Sequence, residues 1–311
     1  MAVFLTIDGG TTNTRIGLLR DDVLTDTIKI SGGAGAARQN AEGQKEAIRG
    51  GICTILQRNG LRECDVERIL ASGMITSEYG LCNLPHLIAP AGLTELHNGM
   101  VEISLPEISH IPFVFMRGVK LAGDSFADTD MMRGEETELM GIADPAFGEC
   151  VYVLPGSHSK VIKTDAQGRI EQFSTLLSGE MFYALSQHTI LGDAVDMTCA
   201  ETDETYLLQG YRYAKENGIN KALFKTRVLK NLFGCTAAQT GSFFRGAILC
   251  DEICEILRYP VSTVVVGGKK QMREATCIIL RHTSNRQVHC LTDAEVEESV
   301  TRGQLRIYCG R

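Results

Sequence analysis

Twice along this chain of 311 residues an apolar, β-rich run ends in a turn of Gly, Ser and Thr, and a second β-rich run leads away from it. The first instance is Leu5-Thr6-Ile7-Asp8-Gly9-Gly10-Thr11-Thr12-Asn13-Thr14-Arg15, and the second is Tyr152-Val153-Leu154-Pro155-Gly156-Ser157-His158-Ser159-Lys160-Val161-Ile162. Glycine in such a turn lets backbone N–H groups point inward around an anion, because no side chain blocks the approach. Asp8, at the end of the first strand, adds a carboxylate suited to Mg2+, usually through water. One such turn in each half of the chain implies a nucleoside triphosphate held between two similar domains.

The order of elements supports that duplication. Val3–Ile7, Thr14–Leu19 and Val23–Ile30 read as three strands on short turns, followed by a helix over Asn40–Arg58 with apolar residues near a 3.6-residue period. A strand at Arg68–Ser72, a short helix at Ser77–Cys82, a strand at Phe113–Met116 and a helix at Glu135–Ile142 complete the first half. The pattern then restarts with strands at Cys150–Leu154, Lys160–Thr164 and Ile170–Leu177, a helix from about Gly179 and a polar helical stretch over Asp203–Phe233. One amphipathic helix over Gly241–Arg258, a strand at Ser262–Val266, a helix from Lys270, a strand at Gln287–Leu291 and a helix at Ala294–Arg306 follow. This order predicts two α/β domains of mixed sheet, residues 1–145 and 146–311, with the boundary near Ile142–Gly148.

Composition narrows the function classes. A net charge of −7 argues against broad nucleic-acid or anionic-membrane binding. No apolar run is long enough for a membrane-spanning helix, and the N-terminus lacks the basic-then-apolar pattern of a secretory signal. The eleven cysteines form no Cys-x-x-Cys pair, and Cys53, Cys150, Cys250, Cys254 and Cys277 sit in apolar runs, which predicts buried free thiols and a reducing cytoplasm. No His/Cys spacing suits zinc.

Several residue types carry chemistry. Asp8, Gly9, Gly10, Thr11, Thr12 and Asn13 form a run of small donors with one carboxylate, suited to phosphate and Mg2+. Arg15 lies within reach of a transferring phosphoryl group, or is a strand-edge cation. Gly156, Ser157 and His158 form the second cradle, with His158 read as a turn hydrogen-bonder rather than a base. Gly267-Gly268, after Val264-Val265-Val266, allows close approach of a flat base or a phosphate, or serves packing alone. Phosphorylating a hydroxyl needs a carboxylate to take the proton, and Asp130, Glu135 and Glu136 are the candidates around Met132-Arg133-Gly134-Glu135-Glu136-Thr137. Arg133 there, or Arg117, supplies the cation that an acidic substrate needs; the alternative for Arg133 is an ion-paired helix cap. Ser178-Gly179-Glu180 is a similar helix start with one carboxylate.

Together these positions resemble the sugar kinase, Hsp70 and actin superfamily of ATP-binding folds. Within it the chain resembles the 2-dehydro-3-deoxygalactonokinase family, on Ile7–Arg15, Ala71-Ser72-Gly73-Met74-Ile75, Met132–Thr137, Leu154–Lys160 and Leu177-Ser178-Gly179-Glu180, which occur in the family's order. The resemblance implies two ribonuclease H-like (actin-like ATPase) domains with mixed sheets and an interdomain cleft that closes over substrate. It implies MgATP as phosphoryl donor and 2-dehydro-3-deoxy-D-galactonate as acceptor, giving the 6-phosphate in galactonate breakdown ahead of an aldolase. It assigns the base to Asp130 or Glu135, with Arg15 assisting transfer. Substrate contacts fall to Arg133, Glu136, Ser72, Gly73, Met74, Gly179 and Glu180. The partner expected is a small sugar acid, with no nucleic acid or membrane, and a homodimer is compatible. Alternatives are a kinase of another sugar with the same fold, or a non-catalytic ATP-binding regulator.

Overall fold

The computed structural model describes residues 2–11, 13–31, 33 and 40–311. Its contacts divide the chain into two units, Met1–Pro145 with Gln167–Glu171 and Ala294–Arg311, and Ala146–Ala166 with Gln172–Asp293.

The first unit opens with the expected meander, β1 (Val3–Gly9), β2 (Asn13–Arg20) and β3 (Val23–Ser31). Helix α1 (Ala41–Arg58) leads to β4 (Arg68–Gly73), which runs parallel to β1. Then come β5 (Leu87–Ile88), α2 (Leu93–Asn98), β6 (Val101–Leu105), β7 (Ser109–Phe115), β8 (Val119–Leu121), β9 (Asp130–Met132) and α3 (Glu135–Ile142). The main sheet has the order β3-β2-β1-β4-β7-β6, and β5-β8-β9 form a small separate sheet. Central position explains why β1 is a continuous buried run, whereas edge strand β3 alternates between exposed and half-buried residues. Helix α1 is capped by Asn40, whose Oδ1 accepts from the Gly43 N–H, and it buries Ile48, Ile52, Ile55 and Leu56. A Cβ at Gly51 of this helix would lie 2.7 Å from the Ile16 side chain of β2.

In the second unit β10 (Cys150–Leu154), β11 (Ser159–Thr164) and β12 (Ile170–Leu176, whose first two residues group with the first unit) form the repeated meander. Helices α4 (Ser178–His188), α5 (Glu204–Asn217), α6 (Ile219–Phe233), α7 (Ala237–Ile248) and α8 (Cys250–Arg258) precede β13 (Thr263–Val266), α9 (Lys270–Thr283) and β14 (Gln287–Cys290). The sheet order β12-β11-β10-β13-β14 repeats the third-second-first-fourth succession of the first unit. These are two ribonuclease H-like, actin-like α/β units.

Four differences from the sequence reading have physical causes. The stretch read as one amphipathic helix over Gly241–Arg258 is two, α7 and α8. Helix α7 is buried on all sides from Thr240 to Ile248, with its backbone against α5: a Cβ at Gly246 would lie 2.0 Å from the Leu207 carbonyl oxygen, and one at Gly210 would lie 2.0 Å from that of Phe243. Helix α8 buries one stripe only, so one straight axis does not serve both burial patterns. Residues 77–82 form no helix; the chain folds back so that the Leu81 N–H donates to the Ile75 carbonyl at 2.8 Å. Cys53 is exposed, on the face of its helix away from the core, and Cys254 is half-buried at the margin of the core it packs against, while Cys150, Cys250 and Cys277 are buried and all eleven thiols are free. The C-terminal helix, Asp293–Cys309, groups with the first unit apart from its first residue, where the sequence division at 145/146 put it in the second. Glycines explain this grouping: Cβ atoms at Gly141 of α3 and Gly303 of the C-terminal helix would lie 1.8 Å from the carbonyl oxygens of Ser299 and Thr137. The two helix backbones therefore touch.

Candidate active site

In the first unit the site grows from the ends of three elements. Asp8 of β1 sits opposite Arg15 of β2 and opposite Ser72 of β4 in the strand register. Gly9 pairs with Gly73, whose φ of +82° suits glycine, and a Cβ at Gly73 would lie 2.5 Å from the Gly9 carbonyl oxygen. Gly134 (φ +114°) stacks on Gly73 in turn, where a Cβ would be 3.2 Å from the Gly73 Cα. This run of side-chain-free backbone brings the start of α3 onto the tip of β1. The Gly10 N–H donates to the Asn13 carbonyl at 3.0 Å, closing the turn. Thr11 is exposed, and Thr12 lies outside the described residues.

Burial pushes the Asp8 carboxyl above its ordinary value; the Arg15 charge opposes this and the Glu135 charge adds to it. Glu138, three residues beyond Glu135 on α3, is pushed up to about 8 by burial and by the charges of Glu135 and Asp8. Asp8, Glu135 and Glu138 thus form one electrostatically coupled group. Glu136 is fully buried, accepts the Gly134 N–H on both carboxylate oxygens at 2.9 Å, and is held up at about 8 by burial and by Glu135. It closes the start of α3 rather than standing open to substrate. Asp130, the other candidate base, lies in β9 of the small sheet opposite Leu121, and its Oδ1 accepts the Met131 N–H.

Arg133 is tied to the loop after β4. Its Nη1 donates to the Thr76 hydroxyl at 2.8 Å and to the Thr76 carbonyl, its Nη2 donates to the Leu84 carbonyl at 2.9 Å, and Nη2 lies 3.3 Å from His86 Nδ1. Its backbone N–H donates to Glu135 at 3.0 Å. Ser72 is buried, with its hydroxyl accepting from Gln304 Nε2 at 2.8 Å, while Met74 is half-buried at the start of a short 3-10 turn. Gln304 Nε2 also donates to the Ile7 carbonyl at 2.8 Å, so the C-terminal helix holds the strand ends that carry Asp8 and Ser72.

In the second unit the Gly156-Ser157-His158 turn receives the N-terminus of α4. A Cβ at Gly179 would lie 1.9 Å from the Gly156 carbonyl oxygen, and the Glu180 N–H donates to the Ser157 carbonyl at 3.1 Å. His158 Nε2 lies 3.1 Å from Glu180 Oε1. Gly268 (φ +72°) is packed on Pro155, where a Cβ would be 2.2 Å from the Pro155 carbonyl oxygen. The Lys269 N–H donates to that oxygen at 3.2 Å, and Arg273 Nη1 donates to the Gly268 carbonyl at 2.8 Å. Gly179, Glu180, Gly267 and Gly268 are therefore all gathered around the second turn, although the sequence reading placed Gly179 and Glu180 with the substrate. Glu138 and Gln304 were missed. Helical spacing from Glu135 points to Glu138; nothing in the sequence links Gln304 to Ile7, 297 positions earlier.

Two actin-like units, each with a glycine-lined turn at the end of its first strand, define an ATPase-fold kinase of the sugar-kinase class. Comparison with known proteins agrees: the family model for 2-keto-3-deoxy-galactonokinase matches residues 8–305. The chain belongs to that family, and is a phosphotransferase of carbohydrate metabolism. It is 26% identical over 263 residues to the 2-dehydro-3-deoxygalactonokinase of Escherichia coli K12, covering 83% of this chain and 82% of the relative. A Rhizobium meliloti protein named as a candidate for the same enzyme is 29% identical over 264 residues, covering 82% and 80%. A crystal structure of a candidate 2-dehydro-3-deoxygalactonokinase from Sinorhizobium meliloti superposes with a TM-score of 0.78 at 22% identity, covering 98% of this chain and 95% of the other.

Proposed function

We propose that this kinase transfers the terminal phosphoryl group of ATP to the 6-hydroxyl of 2-dehydro-3-deoxy-D-galactonate, in the cytoplasm, as a step of galactonate breakdown. The observation that carries the reading is the meeting of Asp8, Arg15 and Glu135 at the tip of β1 in a family of this chemistry. In the reaction the sugar O6 bonds to the γ-phosphorus, the bond from that phosphorus to the β–γ bridging oxygen breaks, and the hydroxyl proton passes to a carboxylate. Glu135 is the base in this reading, because its charge acts on Asp8 whereas Asp130 belongs to the small sheet. Arg15 offsets charge on the moving phosphoryl group.

The residues present also fit a divalent cation. Asp8, a desolvated carboxylate at the end of β1 beside the Gly9-Gly10 turn, suits a hard oxygen-seeking ion held through water, and among the described residues no group of three His, Cys, Asp or Glu stands together to bind one directly. Asp8 would hold Mg2+ through water, and the ion would supply charge neutralisation of the phosphates. In the second unit the Gly156–Ser157 turn would take phosphate oxygens and Gly267-Gly268 the adenosine. An ADP-release assay over the 2-keto-3-deoxy acids derived from galactonate and gluconate, together with neutral sugars, tests the reading. The expected result is acid-dependent release, fastest with the galactonate-derived acid; absence of release with every acid contradicts it.

A further inference from the structure

Three cations crowd one short segment of the first unit. Arg133 reaches Leu84 and His86 from one side, as described. From the other, Arg117 Nε donates to the Pro85 carbonyl at 2.6 Å and its Nη2 to the His86 carbonyl at 3.4 Å. Lys120 joins them from β8, where it pairs with Ile88 of β5 and Met131 of β9. The His86 ring is fixed over Gly118, where a Cβ would lie 2.8 Å from its Cδ2. Among the described residues no ion pair involves Arg117, Lys120 or Arg133. Among the described residues the carboxylate that favours the Arg133 charge is Glu136, which is buried, holds its proton up to about 8 and is committed to the Gly134 N–H.

Like charges placed this close are unfavourable unless an anion shares them. The imidazole of His86 answers to this charge. Burial and the charges of Arg133, Lys120 and Arg117 hold His86 down at about 4, so it is neutral and adds no fourth charge. The Nη atoms of Arg133 are largely spent on backbone carbonyls, so this side chain cannot by itself make the two-pronged grip expected of it. Arg117 and Lys120 are both half-buried, and they retain donors.

We infer that Arg117 and Lys120, braced by Arg133 and by the ring of His86, form the subsite for the carboxylate of the acidic acceptor. The inference rests on the proposed sugar-acid kinase activity and deepens it. Arg133 becomes the residue that positions the loop and Arg117 and Lys120 the pair that read the charge. The exposed apolar neighbours Ile88 and Met131 flank the Lys120 stem and lower the local polarity, which strengthens an ion pair formed there.

The test is binding of 2-dehydro-3-deoxy-D-galactonate without nucleotide, followed by calorimetry and by the His86 imidazole resonances. Wild-type protein binds the acid, and the His86 titration midpoint rises as the carboxylate offsets the surrounding cations. Arg117→Gln and Lys120→Met each weaken acid binding about tenfold or more and leave the affinity for ADP within twofold, while Arg117→Lys recovers part of the loss. In turnover the same variants raise KM for the acid far more than for ATP. Unchanged acid affinity in both variants, or an unmoved His86 midpoint, overturns the subsite. Phosphotransfer to the acid that survives both variants overturns the subsite and leaves the kinase reading standing. Acid binding that moves His86 in a protein without any phosphotransfer supports the subsite and overturns the kinase reading. Should Arg117→Gln fail to fold, Lys120→Met, which keeps its alkyl stem, decides the matter alone.

Discussion

The two glycine turns share a backbone plan and differ in charge. In each, a strand from the first position of the sheet ends beside a glycine of positive φ from the fourth, Gly73 against Gly9 and Gly268 against Pro155. The first turn is surrounded by carboxylates, with Asp8, Glu135 and Glu138 acting on one another. The second ends in Leu154 and Pro155 and receives the N-terminus of α4 through the Glu180 N–H, with Lys269 held beside it by its N–H to the Pro155 carbonyl, while Lys270 and Arg273 of the next helix pair with Asp293. One topology thus supplies a cation-seeking turn and an anion-seeking turn. Duplication fixes the backbone, and a few side chains divide the labour.

That division can be broken at either turn. Asp8→Asn removes the cation-seeking charge, and turnover should fall by about two to three orders of magnitude, measured as ADP release at saturating substrates. A fall of less than tenfold would mean that the first turn is not the seat of transfer. At the second turn, Gly179→Ala is the sharper probe. Alanine for glycine inside a helix ordinarily adds about 0.5–1 kcal/mol of stability. Here the new Cβ would fall 1.9 Å from the Gly156 carbonyl oxygen, so the turn must shift and the sign reverses. The expected result is a KM for ATP raised about tenfold with KM for the acid unchanged. Gly303→Ala, which meets the Thr137 carbonyl at 1.8 Å, has no phosphate turn to displace. It should cost about 1–3 kcal/mol in thermal unfolding while leaving KM for ATP intact.

The smallest effect concerns pH. Glu136 and Glu138 both hold their protons up to about 8 in the folded chain. A carboxyl held this way contributes stability that is fully present below the ordinary carboxylate range and is lost as pH rises through about 8. The melting temperature should therefore decline between about pH 5 and pH 8 through these groups, and Glu136→Gln should flatten that decline. An unchanged slope in Glu136→Gln would show that Gly134 and Thr137 do not hold a buried acid there.

Much of this was legible in the sequence because the informative signals are local. Both meanders, α3 at Glu135–Ile142 and β10 at Cys150–Leu154 follow from strand patterning and helix-start charge within a dozen residues. The Asp8 turn and the Gly156 turn were found for the same reason. What stayed hidden depends on contacts far apart in the chain. Gly218, with φ +84°, splits the polar stretch into α5 and α6, yet a glycine in sequence does not declare its φ. The return of the C-terminal helix to the first unit rests on glycine contacts between α3 and that helix. Gln304 under Ile7 and Ser72 is visible only once that helix is in place. Arg133 stands out in the sequence, but its attachment to Thr76 and Leu84 depends on how residues 74–86 fold back, within which the sequence suggests a short helix at Ser77–Cys82.

The contrast between the turns is tested most directly by calorimetric titration of ADP into wild-type protein and Asp8→Asn, each with and without Mg2+. The account predicts that the two proteins bind metal-free ADP alike, and that only the wild type binds more tightly when Mg2+ is added. Equal gains from Mg2+ in both proteins, or loss of metal-free ADP binding in Asp8→Asn, would contradict it.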